Sequence, residues 1–138
     1  MKKILVDTNI VMDLLSKREP FYQSAADLFS LADTKRMKLS ISALTLANVY
    51  YVLQKQIRAE AKEVLRRFKV LVHVLSLNDK ILDLALNDND FNDFENAIQY
   101  FSAINNEHDL ILTRNLKDFK KSAIPVMTAE TYLNTHND

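Results

Sequence analysis

Two stretches of the chain end in oxygen-bearing side chains that could handle a phosphate or a cation. In the first, the apolar run Ile4 to Val6 stops at Asp7 and is followed by Thr8 and Asn9; in the second, Leu110 to Leu112 is followed by Thr113, Asn115 and Asp118. A short buried strand ending in an acid sets that acid at the carboxyl edge of a parallel sheet, where open α/β folds bind ligands. Asp7 could equally be an ordinary helix N-cap that satisfies orphan amides. If both strands are central and parallel, their ends lie side by side. Carboxylates gathered there repel unless a cation joins them, and hard oxygen donors favour Mg²⁺ or Mn²⁺ over zinc.

Holding two strand ends together requires a sheet, and the periodicity supplies its parts. Ile10, Val11, Leu14 and Leu15 follow helical spacing up to Pro20, and Ala25, Ala26, Leu28, Phe29 and Ala32 mark a second helix. Leu39 and Ile41 alternate with Ser40 and Ser42 as in a short strand, and Ser42 can cap the helix that runs from Leu44 to Leu53. Arg58 to Phe68 reads as a charged amphipathic helix, Val70 to Leu77 as a third strand and Ile81 to Leu86 as another helix. After a polar turn at Asp88 to Asn92, the residues Phe94, Ala97, Ile98, Phe101 and Ile104 line one helix face. Pro125 and Val126 suggest a last short strand before a helix from about Ala129. Strands separated by helices predict one α/β domain over 1–138, with a parallel sheet covered on both faces.

Composition narrows the chemistry. At 138 residues and 48% hydrophobic, the chain can bury a real core, and eighteen basic residues balance eighteen acidic ones. No overall field drives it onto nucleic acid, so any RNA contact must use a local patch. Without cysteine there are no disulfides, thiolate zinc sites or cysteine nucleophiles; without glycine the dinucleotide fingerprint and the P-loop are both excluded. The apolar run near the N-terminus is too short for a signal peptide, and no segment is long enough to span a bilayer. The expected setting is cytoplasmic, with no membrane partner.

Over nearly its full length the chain resembles the PIN-domain family, metal-dependent ribonucleases that include the VapC-like toxins of toxin–antitoxin pairs. The resemblance is carried by Val-Asp-Thr-Asn at 6 to 9, Ser-Ala-Leu-Thr-Leu-Ala-Asn-Val at 42 to 49, Asp-Phe-Glu-Asn-Ala at 93 to 97 and Leu-Thr-Arg-Asn-Leu-Lys-Asp-Phe at 112 to 119. It implies a PIN-like α/β/α sandwich, a short central parallel sheet with helices on both faces. It also implies four acidic positions around one or two divalent cations. The first falls on Asp7. The second, usually Glu, falls on Asn48; the third, usually Asp, on Asn96; the fourth on Asn115, where the family itself often has Asn, with Asp118 three residues on.

Two normally anionic positions thus carry amides, which offer a carbonyl oxygen but no charge, so metal affinity should fall. Asp93 is the expected substitute ligand, since 93 lies one helical turn from 96 while Glu95 is rotated about 100° away. The resemblance then gives Asp7, Asn48, Asn96, Asn115 and Thr113 as catalytic positions, with Asp7, Asp93, Asn96, Asn115 and Asp118 as the Mg²⁺ or Mn²⁺ ligands. Thr113 would orient Asp7 or the nucleophile.

Arg114, Lys117, Lys120 and Lys121 flank this site and could grip RNA phosphates, against the alternative of a solvated loop. Lys62, Arg66, Arg67 and Lys69 alternate with Glu60 and Glu63 as a solvated helix face does. Tyr50 and Tyr51 could stack on bases but are expected at core or rim. His73, His108 and His136 lack ligand spacing and are given no catalytic role, and Asp13, Asp27 and Asp83 are expected to face solvent.

The leading expectation is an RNA endonuclease of the VapC-like kind, weakened by its amides, acting as a homodimer with an antitoxin protein. The alternative is a catalytically inert PIN fold that binds RNA or protein. A phosphatase using Asp7 as nucleophile would resemble Asp-x-Asp after the first strand, and Asn9 removes its second acid.

Overall fold

The computed structural model describes residues 1–135. Five strands form one sheet: β1 (Lys3–Val6), β2 (Lys38–Ser42), β3 (His73–Leu75), β4 (Leu110–Leu112) and β5 (Val126–Met127). All pairs are parallel, in the order β3-β2-β1-β4-β5. Among the described residues seven α-helices accompany them, six between strands and one after the last: α1 (Thr8–Leu15), α2 (Tyr22–Asp33), α3 (Ala43–Ile57), α4 (Ala61–Phe68), α5 (Asp79–Asn87), α6 (Phe94–Asn105) and α7 (Ala129–Thr135).

Strand side chains alternate between two cores, as the pleat requires. Ile4, Val6, Leu39, Ile41, Leu110 and Leu112 pack under α1, α2, α3, α4 and α7, whereas Leu5 and Ile111 pack under α5 and α6. With helices on both faces, the central strands are buried throughout, which is why they read as short apolar runs rather than as alternating ones.

Register brings the two chemically loaded ends together. Val6 pairs with Leu112, and the Asp7 amide donates to the Leu112 carbonyl at 2.9 Å. β1 lies between β2 and β4, so the crevice beyond its carboxyl end is where the connections diverge to opposite sides.

Three expectations change in detail. Only His73–Leu75 pairs as a strand, because Lys69–Leu71 is wound into a 3₁₀ turn that leaves Val70 exposed. The charged helix is broken: Arg58–Glu60 forms a 3₁₀ turn, with Arg58 at φ 35°, and α4 starts at Ala61. Asp13, expected to face solvent, is 1% exposed and is matched by an ion pair described below, whereas Asp27 and Asp83 are exposed. In a chain without glycine, the left-handed positions that end helices fall on side chains that bear a steric cost there, Lys17, Lys35 and Glu107 among them. Among the described residues no helix is long and apolar enough to cross a membrane.

Candidate active site

Asp7 is both cap and site. Its Oδ1 accepts from the Thr8 amide at 2.8 Å, starting α1, and from Gln99 Nε2 at 3.1 Å. Its Oδ2 accepts from Thr113 Oγ1 at 2.7 Å and from Asn9 Nδ2 at 3.4 Å. Thr113 stands one residue past β4, fully buried, and its hydroxyl also accepts from the Asn115 amide at 3.0 Å. Burial pushes the Asp7 carboxyl above the usual carboxylate range; the bonds from Thr113, Thr8 and Gln99 pull the other way, and the charge on Asp118 adds to the rise.

A hollow of about 400 Å³ opens beside this carboxylate. Its walls include Asp7, Asn48, Asp93, Glu95, Asn96, Asn115 and Asp118, so residues from β1, α3, α6 and the turn after β4 converge as expected. The turn Leu116–Phe119 that carries Asp118 is anchored by Phe119, 2% exposed, whose ring meets Phe91 edge-on at 6.0 Å. Burying such a side chain contributes about 1.5–3 kcal/mol toward the cost of ordering the turn.

Asn48 Nδ2 donates to Glu95 Oε1 at 2.7 Å, joining α3 to α6 across the hollow. Asp93 is the N-cap of α6, its Oδ1 accepting from the Asn96 amide at 3.0 Å. Residue 93 is therefore outside the helix, and the helical rotation that favoured it over Glu95 does not apply. Both carboxylates line the hollow, with one oxygen of Asp93 committed to the cap.

Gln99 was not anticipated. It is 3% exposed, and its Nε2 bridges Asp7 Oδ1, Thr45 Oγ1 at 2.7 Å and Thr8 Oγ1 at 3.4 Å, tying α6 to the starts of α1 and α3. Among the described residues its Oε1 has no hydrogen-bond partner. The available signal was a glutamine between Ile98 and Tyr100 on a buried helix face, one turn beyond Glu95 and Asn96. Ser42 caps α3 as expected, accepting from the Thr45 amide at 3.0 Å.

The basic residues divide. Arg114 Nε and Nη2 donate to Asp13 Oδ2 and Oδ1 at 2.8 and 3.1 Å, and its guanidinium lies 3.9 Å from the Phe21 ring centre. Lys117, Lys120 and Lys121 are exposed on and just after the 3₁₀ turn, outside the hollow. Arg18, not singled out from the sequence, does line it. His73 is exposed on β3, His108 is buried with Nδ1 3.0 Å from the Asn106 carbonyl, and His136 lies outside the described residues.

The carboxylates and amides that line the hollow offer oxygen to a cation, and the buried carboxylate, disfavoured further by Asp118, would be relieved by one. Among the described residues no three acidic or histidine side chains are grouped closely enough to hold an ion by themselves. That donor set fits a Mg²⁺-type ion, which keeps much of its water and takes one or two carboxylates, better than a closed cage.

The curated relative Ribonuclease VapC1 of Aquifex aeolicus is 27% identical, over 99% of this chain and 96% of its own length. Among solved structures, VapBC-1 of nontypeable Haemophilus influenzae superposes with a TM-score of 0.67 at 16% identity, covering 93% of this chain and 98% of that one. Mycobacterium tuberculosis VapC20, described as a Sarcin-Ricin loop cleaving toxin, gives 0.62 at 16% identity over 78% and 86%. At those identities the structures speak for the fold alone, and the fold is the same α/β/α arrangement. Since the PIN domain profile matches residues 3–117, the chain belongs to the PIN-domain family.

Proposed function

We propose that this protein is a divalent-metal-dependent RNA endonuclease of the toxin type, hydrolysing phosphodiester bonds at the hollow beside Asp7. The observation that carries the reading is the convergence of Asp7, Asp118, Glu95 and Asp93 on one cavity at the carboxyl edge of the sheet. The ribonuclease named among its relatives supports RNA as the substrate. Asp7 and Asp118 would hold Mg²⁺ or Mn²⁺, with the side-chain oxygens of Asn96 and Asn115 as neutral ligands and Asp93 as further charge. The chemistry such an ion supplies is acidification of a water and neutralisation of charge developing on the phosphate.

The chain's own residues do the positioning. Thr113, Gln99, Asn9 and the Thr8 amide surround Asp7 with donors, fixing both carboxylate oxygens before any ligand arrives. Asn48 restrains Glu95 and carries no charge of its own, so the hollow is less anionic than one with Glu at 48 and Asp at 96. Weakened metal affinity and slower turnover follow. We further infer an antitoxin partner, which structural neighbours solved as VapBC assemblies support, and with it a homodimer in a cytoplasmic setting.

Cleavage of a structured RNA with Mn²⁺ tests the proposal. Wild type should cut internally and stop on addition of EDTA, and Asp7→Ala should lose at least about 100-fold in rate. If wild type and Asp7→Ala are equally inert while Asn48→Glu gains activity, the natural chain is a binding module that has lost its chemistry.

A further inference from the structure

The face of α3 that leaves the hollow carries an exposed aromatic ring beside a cation. Asn48 and Val52 line the hollow, and Val49 and Leu53 are buried in the core. Tyr50 is half-buried against that core, whereas Tyr51 is 59% exposed, with Lys55 Nζ 4.2 Å from its ring centre. Residues 48, 51, 52 and 55 share one side of the helix at i, i+3, i+4 and i+7, and seven residues advance about 10 Å along the axis. On the opposite flank, Gln56 Oε1 accepts from Ser16 Oγ at 2.9 Å, which brings the end of α1 against α3, and Arg18 follows two residues later at the rim of the hollow. Among the described residues Arg18 has no ion-pair partner.

Building on the nuclease reading, we propose that this strip is the path of single-stranded RNA out of the hollow, with Tyr51 stacking on a base and Lys55 and Arg18 holding phosphates. An exposed ring beside a cation, with a second cation on the wall of the hollow, favours RNA as the occupant. The hollow presents the carboxylates of Asp7, Asp93, Glu95 and Asp118, which repel a polyanion, so cations must act at its margin. Arg18 is the basic residue on its wall, and Lys55 lies one helical turn beyond Val52 on the way out. An aromatic ring beside a cation is also the pairing that single-strand binders use: the π-face accepts any base, and the cation tracks the backbone. About 10 Å of helix spans roughly three stacked nucleotides at 3.4 Å each, a short sequence-tolerant platform.

The test uses the full chain and a fluorescent 2′-O-methyl oligoribonucleotide of mixed sequence, which cannot be cut, with binding read by anisotropy in EDTA across a salt series. Tyr51→Ala should weaken binding by about 5- to 150-fold, the range for removing one base stack, and Tyr51→Phe should restore it to within about twofold. Lys55→Ala and Arg18→Ala should each flatten the slope of log K against log salt by about 0.7, the value for one single-strand phosphate contact. Wild-type affinity in Tyr51→Ala with unchanged slopes in both cation variants overturns the proposal, including the case in which those variants instead alter self-association in sedimentation. The two readings fail separately. A wild type that cuts RNA while Tyr51→Ala binds normally sinks the path alone, whereas a wild type that binds this oligonucleotide through Tyr51 but cuts no RNA sinks the nuclease and leaves the path.

Discussion

Thr113 Oγ1 donates to Asp7 Oδ2 at 2.7 Å, across the seam where β4 meets β1. Both residues stand one position beyond the last residue of a paired strand, and Val6 pairs with Leu112. Sheet register, which is fixed by the buried residues on both faces, therefore sets the orientation of the carboxylate. The same coupling makes Asp7 costly to the fold: a carboxylate is kept in a nearly dry place for the sake of the site.

That cost predicts a pH dependence of stability in the absence of metal. Burial raises the Asp7 carboxyl above its ordinary value of 3.8, so the folded chain holds the Asp7 proton more tightly than the unfolded chain does. The contribution of Asp7 to stability should fall as pH climbs from the ordinary value through the raised one, and the full penalty should persist above it. In EDTA, urea denaturation over a pH series should show Asp7→Asn gaining on wild type as pH rises, and levelling off once pH has passed the raised value. A difference between the two that does not change with pH would contradict this origin.

The Asp13–Arg114 pair is structural. Asp13 is 1% exposed, and the Arg114 side chain retains 29% of its surface, so the pair is only partly screened. Arg114→Ala strands a buried carboxylate and should cost about 2–4 kcal/mol in urea denaturation, somewhat below the range for a fully buried pair. Arg114→Lys should recover little, because a point charge cannot reproduce the bidentate fork or lie flat on Phe21. Full stability in Arg114→Lys would argue that charge alone suffices.

If Asp7 is the centre of the chemistry, Gln99 should act on it through Asp7. Gln99→Met keeps the volume and deletes the amide that bridges Asp7, Thr45 and Thr8. Turnover should fall about 10- to 100-fold, as for other residues that orient a metal-binding carboxylate, with KM for RNA little changed. A matching rise in KM would mean that Gln99 contacts the substrate instead.

Asn48→Glu should raise Mn²⁺ affinity about tenfold in calorimetry by adding a charge to the hollow. It should also destabilise the metal-free protein, since it replaces the donor that Glu95 accepts from at 2.7 Å with a second carboxylate. Adding Glu95→Gln should relieve that destabilisation. Loss of Mn²⁺ affinity in Asn48→Glu would place the ion elsewhere.

Much of this arrangement was legible in the residues. Ile4 to Val6 and Leu110 to Leu112 are buried on both faces, so their apolar runs announced central parallel strands, and the acid after one and the threonine after the other then had to meet. Other features were not, Gln99 and the break at Arg58 among them. Asp13 looked like a solvent residue because its partner is 101 positions away, and nothing local distinguishes an ion-paired acid from a hydrated one. Helical spacing favours Asp93 over Glu95 only where 93 is itself helical, whereas a capping side chain lies outside the helical rotation. Val70 to Leu77 has the composition of a strand along its whole length, but only the part beside Ser40 to Ser42 finds a partner.

The most direct measurement is the anomalous scattering of a crystal soaked in Mn²⁺. A peak coordinated by the carboxylates of Asp7 and Asp118, absent from Asp7→Asn crystals soaked in parallel, is the result expected of a nuclease centred on Asp7. A peak confined to another surface, in a protein that still cuts RNA, would contradict it.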